Sequence, residues 1–117
     1  MTDCLNTFFS AWGDPSPESR AEKSRAALAS EFYYADPNAP DAITDFDAYL
    51  AYVKIYGDMM PDGSARVVGI AQHHGHARAT VAFCKDGTPM QHGQYFADIK
   101  DGKITRLVGF AGLGEPE

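Results

Sequence analysis

Two Asp-Gly pairs, Asp86-Gly87 and Asp101-Gly102, constrain this chain more than any other feature, because both residue types tolerate the positive φ that tight hairpins demand. They divide the second half into the segments "RVVGIAQHHG", "HARATVAFCKDG", "TPMQHGQYFADIKDG" and "KITRLVGFAG". Strand-length segments parted by glycine turns predict four antiparallel strands from Ser64 onward. Gly69, Gly93 and Gly109 fall inside these segments, where glycine weakens pairing and permits a bulge or bend. A sheet interrupted in this way is expected to curl.

The first half carries the helical period. In "TDCLNTFFSAWG", Leu5, Phe8, Phe9 and Trp12 form an apolar stripe, with Thr2 or Asp3 as cap and Gly13 as stop. Ser16 followed by Pro17 opens a second, Ala-rich helix ending near Ala29. Thr44, with Asp47 three residues on, predicts the cap of a third helix. Phe46, Tyr49, Leu50, Val53 and Tyr56 then share one face, and Gly57 closes it. The order predicts an α+β fold: three N-terminal helices packed on the concave face of a strongly curved antiparallel sheet, a cone with a pocket where the helices do not reach. At 117 residues the chain supports one core, so residues 1–117 are expected to form a single domain.

Charge and length narrow the partners. A formal net charge of -6, with no basic run, argues against nucleic acid and anionic membrane surfaces. No apolar stretch approaches the roughly 20 residues that span a bilayer, and Asp3 stands where a secretory leader carries positive charge. A cytoplasmic protein is expected. Cys4 and Cys84, distant and outside any CxxC spacing, read as reduced packing residues.

Chemistry centres on "SEFYYADPNAP", where Phe32, Tyr33 and Tyr34 lead into Asp36 and Pro37. Asp36 has two readings. An Asp-Pro pair is common loop punctuation, with the carboxylate closing an Asx-turn. Alternatively, a carboxylate among aromatic rings is partly desolvated and suited to act as a general base. Trp12 and Tyr56, at helical spacing, serve either as core or as cavity lining. "HHGH" places His73, His74 and His76 together, with His92 expected on a nearby strand. Consecutive strand residues project to opposite faces and Gly75 bends the chain, so these imidazoles do not converge as metal ligands must, and no metal is expected. One of His73 and His74 is expected to face the pocket. Arg78 and Thr80 alternate against Ala77, Ala79, Val81 and Phe83 and belong on the opposite sheet face.

The pieces "FFSAW", "FYYADP", "TDFDAYLAYV" and "GQYFADIKDGKITRLVGF", in this order from about Leu5 to Gly112, resemble the SnoaL-like and ketosteroid isomerase-like superfamily, also named after nuclear transport factor 2. The resemblance implies that Asp36 is the base that takes a proton from carbon beside a ketone. It also implies partners for the resulting oxyanion: the steroid isomerases use a tyrosine from the first helix and a protonated aspartic acid from the third long strand. This chain has Phe8 and Phe9 near the former and Gln94 at the latter. Gln94 can donate through its amide, and His92, two residues away on the same strand face, can add a donor or an acid. Tyr34, Trp12, Tyr56 and His73 complete the expected binding set. The implied activity is cofactor-free isomerisation, cyclisation or dehydration of an apolar, polyketide- or steroid-like molecule by a homodimer joined through its sheets. The alternative is a non-catalytic ligand-binding or dimerisation module of the same fold.

Overall fold

The structure, a computed structural model, describes residues 3–114; the predicted cap Thr2 lies outside them. Helix α1 spans Asp3–Ser10 and runs into a 3-10 turn, Ala11–Gly13. Its stripe is the core of the molecule: Leu5, Phe8, Phe9 and Trp12 are buried. Helix α2, Pro17–Ala27, starts where Ser16 accepts a hydrogen bond from the Ser19 N–H at 3.2 Å, with proline in the first turn.

The chain then departs from the expected helix end near Ala29. Helix α2 stops at Ala27, and Leu28–Ala35 form strand β1, in which Phe32 and Tyr34 point inward and Tyr33 outward. Three consecutive aromatic residues favour a pleated, half-buried strand over a helix, and the burial period of two shows that preference realised. β1 is followed by a loop that folds back, Tyr34 exchanging backbone hydrogen bonds with Ile43 at 2.9 and 2.7 Å. Helix α3 is Phe46–Met59. Its N-cap is Asp45, whose carboxylate accepts from the Ala48 N–H at 2.9 Å, not Thr44, and Gly57 lies inside the helix instead of ending it. An aspartate one residue nearer the first turn outcompetes threonine because its charge also meets the helix dipole.

Strands β2 (Gly63–His73), β3 (His76–Lys85), β4 (Thr88–Lys100) and β5 (Lys103–Ala111) form the expected antiparallel meander. The sheet has a fifth member: β1 pairs in parallel with β5, giving the order β1-β5-β4-β3-β2 and a mixed sheet. All three hairpins turn on a residue pair with positive φ: His74-Gly75, Asp86-Gly87 and Asp101-Gly102. Register shifts fall near Val67/Gly69, Phe83/Cys84 and Asp98/Ile99, and such bulges bend and twist the strands. Gly93 and Gly109 sit on regular ladder instead. Gly109 serves packing: a Cβ there would meet the Tyr95 ring at 2.4 Å, so its bare backbone is what allows that ring to lie across β5.

The α+β cone expected from the sequence is the architecture observed, with the helices over one face of the sheet. Ala77, Ala79, Val81, Tyr95, Ala97 and Leu107 supply the sheet's share of the core. Trp12 ties the 3-10 turn to helix α3 by donating its indole N–H to the Tyr49 hydroxyl at 3.1 Å. Cys4 and Cys84 are both buried and are not joined in a disulfide. Among the described residues, no helix is long and apolar enough to cross a membrane.

Candidate functional site

Between helix α3, the loop that follows β1 and the neighbouring ends of β3 and β4 lies a cavity of about 610 Å³. Its walls include Trp12, Tyr52, Tyr56, Phe83 and Tyr95. Ile55, Met59 and Met90 stand exposed at its rim. Among the described residues, no lysine or arginine lines it, and Asp36 is its one carboxylate. A pocket of this volume with apolar walls and one anionic group suits a neutral, drug-sized organic molecule.

Asp36 is the first residue beyond β1, half-buried in the cavity wall. Its Oδ1 accepts the backbone N–H groups of Asn38 at 2.8 Å and Ala39 at 2.9 Å, closing an Asx-turn. The Tyr52 hydroxyl reaches both carboxylate oxygens, at 2.7 and 2.8 Å, and the Tyr34 hydroxyl donates to Oδ2. Turn geometry and cavity exposure therefore coincide in one residue, since the same turn that consumes Oδ1 aims the rest of the group at the opening.

The phenols around it are kept protonated. Burial, followed by the hydrogen bond to Asp36 and its negative charge, pushes Tyr52 far above the ordinary phenol range. Burial is also the leading cause for Tyr34, Tyr49 and Tyr95. Tyr56 is raised in the same way, and its hydroxyl makes a long 3.4 Å hydrogen bond to the Ser64 carbonyl. These groups are neutral phenols and not phenolates, and Tyr34 and Tyr52 donate to Asp36.

The other expected site residues divide. Trp12 and Tyr56 line the cavity; Tyr34 is fully buried behind Asp36 and reaches the cavity only through it. His92 borders the opening, on the strand face opposite Gly93 and Tyr95, with its carbonyl accepting the Gly112 N–H at 2.8 Å. Gln94 does not line the cavity: its amide donates to the Leu113 carbonyl, because β4 turns this parity of side chains toward Thr80 and Phe110 on the far face. The expectation that His73 or His74 faces the pocket is corrected. Both belong to the β2–β3 hairpin, where they are exposed and contact one another, Nδ1 to Nδ1, at 2.9 Å. His76 pairs there with Asp98 at 2.7 Å. No group of three or more metal-ligating residues converges among the described residues.

Sequence reasoning missed Tyr52, Tyr95, Phe83 and the methionines. Tyr52 had a usable signal: it lies three residues beyond Tyr49 and one before Val53, which widens the helical stripe to face the loop holding Asp36. Tyr95 had none, since its inward pose depends on Gly109 across the ladder.

No family model matches this chain, and no curated protein matches its sequence. Solved structures do. A candidate isomerase of the SnoaL-like family from Agrobacterium tumefaciens superposes with a TM-score of 0.83 at 20% identity, covering 95% of this chain and 96% of that one. A candidate polyketide cyclase from Sinorhizobium meliloti gives 0.71 at 20% identity, covering 93% and 94%. A Catenulispora acidiphila protein with a ketosteroid isomerase-like fold, solved with trimethylamine, gives 0.75 at 13% identity, covering 95% and 86%. At such identities the likeness establishes the fold, which is the nuclear transport factor 2-like cone that the sequence resembles.

Proposed function

We propose that this protein binds a flat, largely apolar organic molecule bearing a carbonyl and moves a proton on it through Asp36, an isomerase, cyclase or dehydratase chemistry that needs no cofactor. One observation carries the reading: among the described residues Asp36 is the single carboxylate of an aromatic cavity, and hydroxyl and amide donors fix its orientation. A positioned base of this kind contributes about 10²- to 10⁴-fold to a proton transfer. Trp12, Tyr56 and Phe83 supply flat surfaces for the ligand, and His92 at the opening is the remaining group able to exchange a proton. The polyketide cyclase and isomerase labels of structural relatives are compatible with this chemistry. Buried cysteines without a disulfide fit a reducing, cytoplasmic setting.

A carbon-acid probe tests the reading without knowledge of the natural substrate. 5-Nitrobenzisoxazole is flat and neutral, and it opens to a coloured phenolate when a base removes its ring C–H. Asp36→Asn should abolish the protein-dependent rate; equal rates in the two proteins would overturn the assignment.

A second reading concerns assembly. Phe96, on the sheet face away from the helices, and Phe110, which also borders the cavity, are 47% and 57% exposed and contact each other at 5.8 Å. Paired exposed aromatics on a strand surface suit an interface with a second copy. The homodimer joined through this face serves the enzyme reading and the non-catalytic one equally.

A further inference from the structure

Asp36 has used up its acceptor capacity. An ionised carboxylate offers about four lone-pair positions. Here they are met by the N–H groups of Asn38 and Ala39 and the hydroxyls of Tyr34 and Tyr52. A base needs a lone pair aimed at the substrate, so one donor must yield. The two N–H groups are locked in the turn, and Tyr34 is fully buried in the core. Tyr52 differs: it straddles both oxygens at 2.7 and 2.8 Å, and it is the hydroxyl donor that also lines the cavity.

Other side-chain donors line the cavity, Asn38, Gln91, His92 and Tyr95, but Tyr52 is the one whose hydrogen bond already rests on Asp36. Phe8 and Phe9 occupy the helix α1 positions and are buried. The Tyr49 hydroxyl is buried and engaged by Trp12, and the Tyr56 hydroxyl faces the Ser64 carbonyl. We propose that Tyr52 is a second catalytic group, its hydroxyl resting on Asp36 while the carboxylate is charged and passing to the substrate oxygen when Asp36 takes up the proton.

The inference rests on the proton-transfer reading, and its steps balance. The C–H bond beside the carbonyl breaks and its proton goes to Oδ2 of Asp36. The electron pair moves into the new C=C bond, and the carbonyl oxygen becomes the enolate. Asp36, now neutral, is a weaker acceptor, and the Tyr52 O–H turns to the oxygen that has gained charge. Return of the proton to a different carbon restores the carbonyl, and the hydroxyl goes back to Asp36. Since this hydrogen bond exists only after charge has moved, it stabilises the transition state in preference to bound substrate.

Binding of 4-nitrophenolate, a stable oxyanion, tests the exchange through a double-mutant cycle. The sole tryptophan, Trp12, lines the cavity and reports binding by fluorescence. Asp36→Asn mimics the protonated carboxyl, so it should bind the probe roughly 10- to 100-fold tighter than wild type, the worth of one charge-assisted hydrogen bond. Tyr52→Phe should remove that gain in the Asp36→Asn background while changing wild-type affinity by no more than about 3-fold, well within what one neutral contact contributes. A gain equal with and without the Tyr52 hydroxyl overturns the proposal. If Asp36→Asn does not fold by circular dichroism, Tyr52→Phe alone decides with 5-nitrobenzisoxazole: a fall in kcat of about 10-fold or more at unchanged KM supports the exchange, and an unchanged kcat overturns it. Failure of the underlying reading shows up separately, as indifference of the benzisoxazole rate to Asp36→Asn.

Discussion

The two ends of strand β3 make an instructive contrast. At its start, by the β2–β3 hairpin, stand His73, His74, His76 and Asp98; near its end, Phe83 meets the cavity that holds Asp36. The first end is dense in titratable groups, yet its imidazoles are exposed and hydrogen-bond to one another and to Asp98. Among the described residues the second has one carboxylate, with neutral donors around it and aromatic walls in front. The first group stands in bulk water and the second is half-buried against aromatic walls, so a charge is screened less where the charged groups are fewer.

Substituting both ends in parallel is the widest test of that contrast. With 5-nitrobenzisoxazole, Asp36→Asn should cost about 10²- to 10⁴-fold in rate, the range of a positioned general base. The combination His73→Ala, His74→Asn and His76→Ala should leave the rate unchanged and alter stability by no more than about 0.5 kcal/mol. Asparagine is the fit replacement at position 74 because the φ there is 52°, a conformation it tolerates and alanine does not. A rate that depends on the hairpin and not on Asp36 would invert the comparison.

The same contrast shows what the sequence could disclose. The Asp-Gly hairpins, the α1 stripe and the Ser16-Pro17 helix start are local signals, and each was legible because its physics lies within a few residues. Strand β1 was not, since its partner β5 lies some seventy residues on and a parallel pairing leaves no turn to read. Asp36 was visible as a candidate, but not its grip: Tyr52 comes from helix α3, 16 residues away. The expectation for His73 or His74 rests on strand alternation, which sends one of two neighbours to the inner face, whereas the tight turn at His74-Gly75 leaves both exposed at the end of the hairpin.

Glycine replacements sharpen the comparison in stability. Gly109→Ala places a Cβ 2.4 Å from the Tyr95 ring, so the ring must leave the cavity wall. The expected loss is about 1–3 kcal/mol, typical of overpacking, with weaker 4-nitrophenolate binding as Tyr95 shifts. Gly87→Ala, at a φ of 78° with nothing within 4 Å, should cost about 1 kcal/mol through the backbone alone and leave binding intact. Thermal melts and Trp12 fluorescence on both variants separate a cavity effect from a general one. Phe96→Glu addresses the outer face instead: it should convert a dimer to monomer in analytical ultracentrifugation while sparing the cavity, and a monomeric wild type would remove the assembly proposal.

The smallest expected effect separates Asp36 from the molecule's other well-bonded carboxylate. Asp14, near the start of α2, accepts from Lys23 at 2.8 Å, from the Ser19 hydroxyl and from the Ser16 N–H at 2.9 Å, and these partners, Lys23 first, hold it well below the usual carboxylate range. Its folded-state value lies below its unfolded one, so the stabilisation is present in full above the unfolded value near 4 and is lost as pH falls through the folded value. Asp14→Asn should therefore lower the melting temperature at neutral pH and flatten its decline below pH ~4, with no change in benzisoxazole turnover at pH 7. Among the described residues, the hydrogen-bond partners of Asp36 are phenols and amides with no cation, so no ion pair neutralises it. A loss of turnover in Asp14→Asn at pH 7 would mean that the acid at the helix start, and not the tyrosine-held one, governs the chemistry.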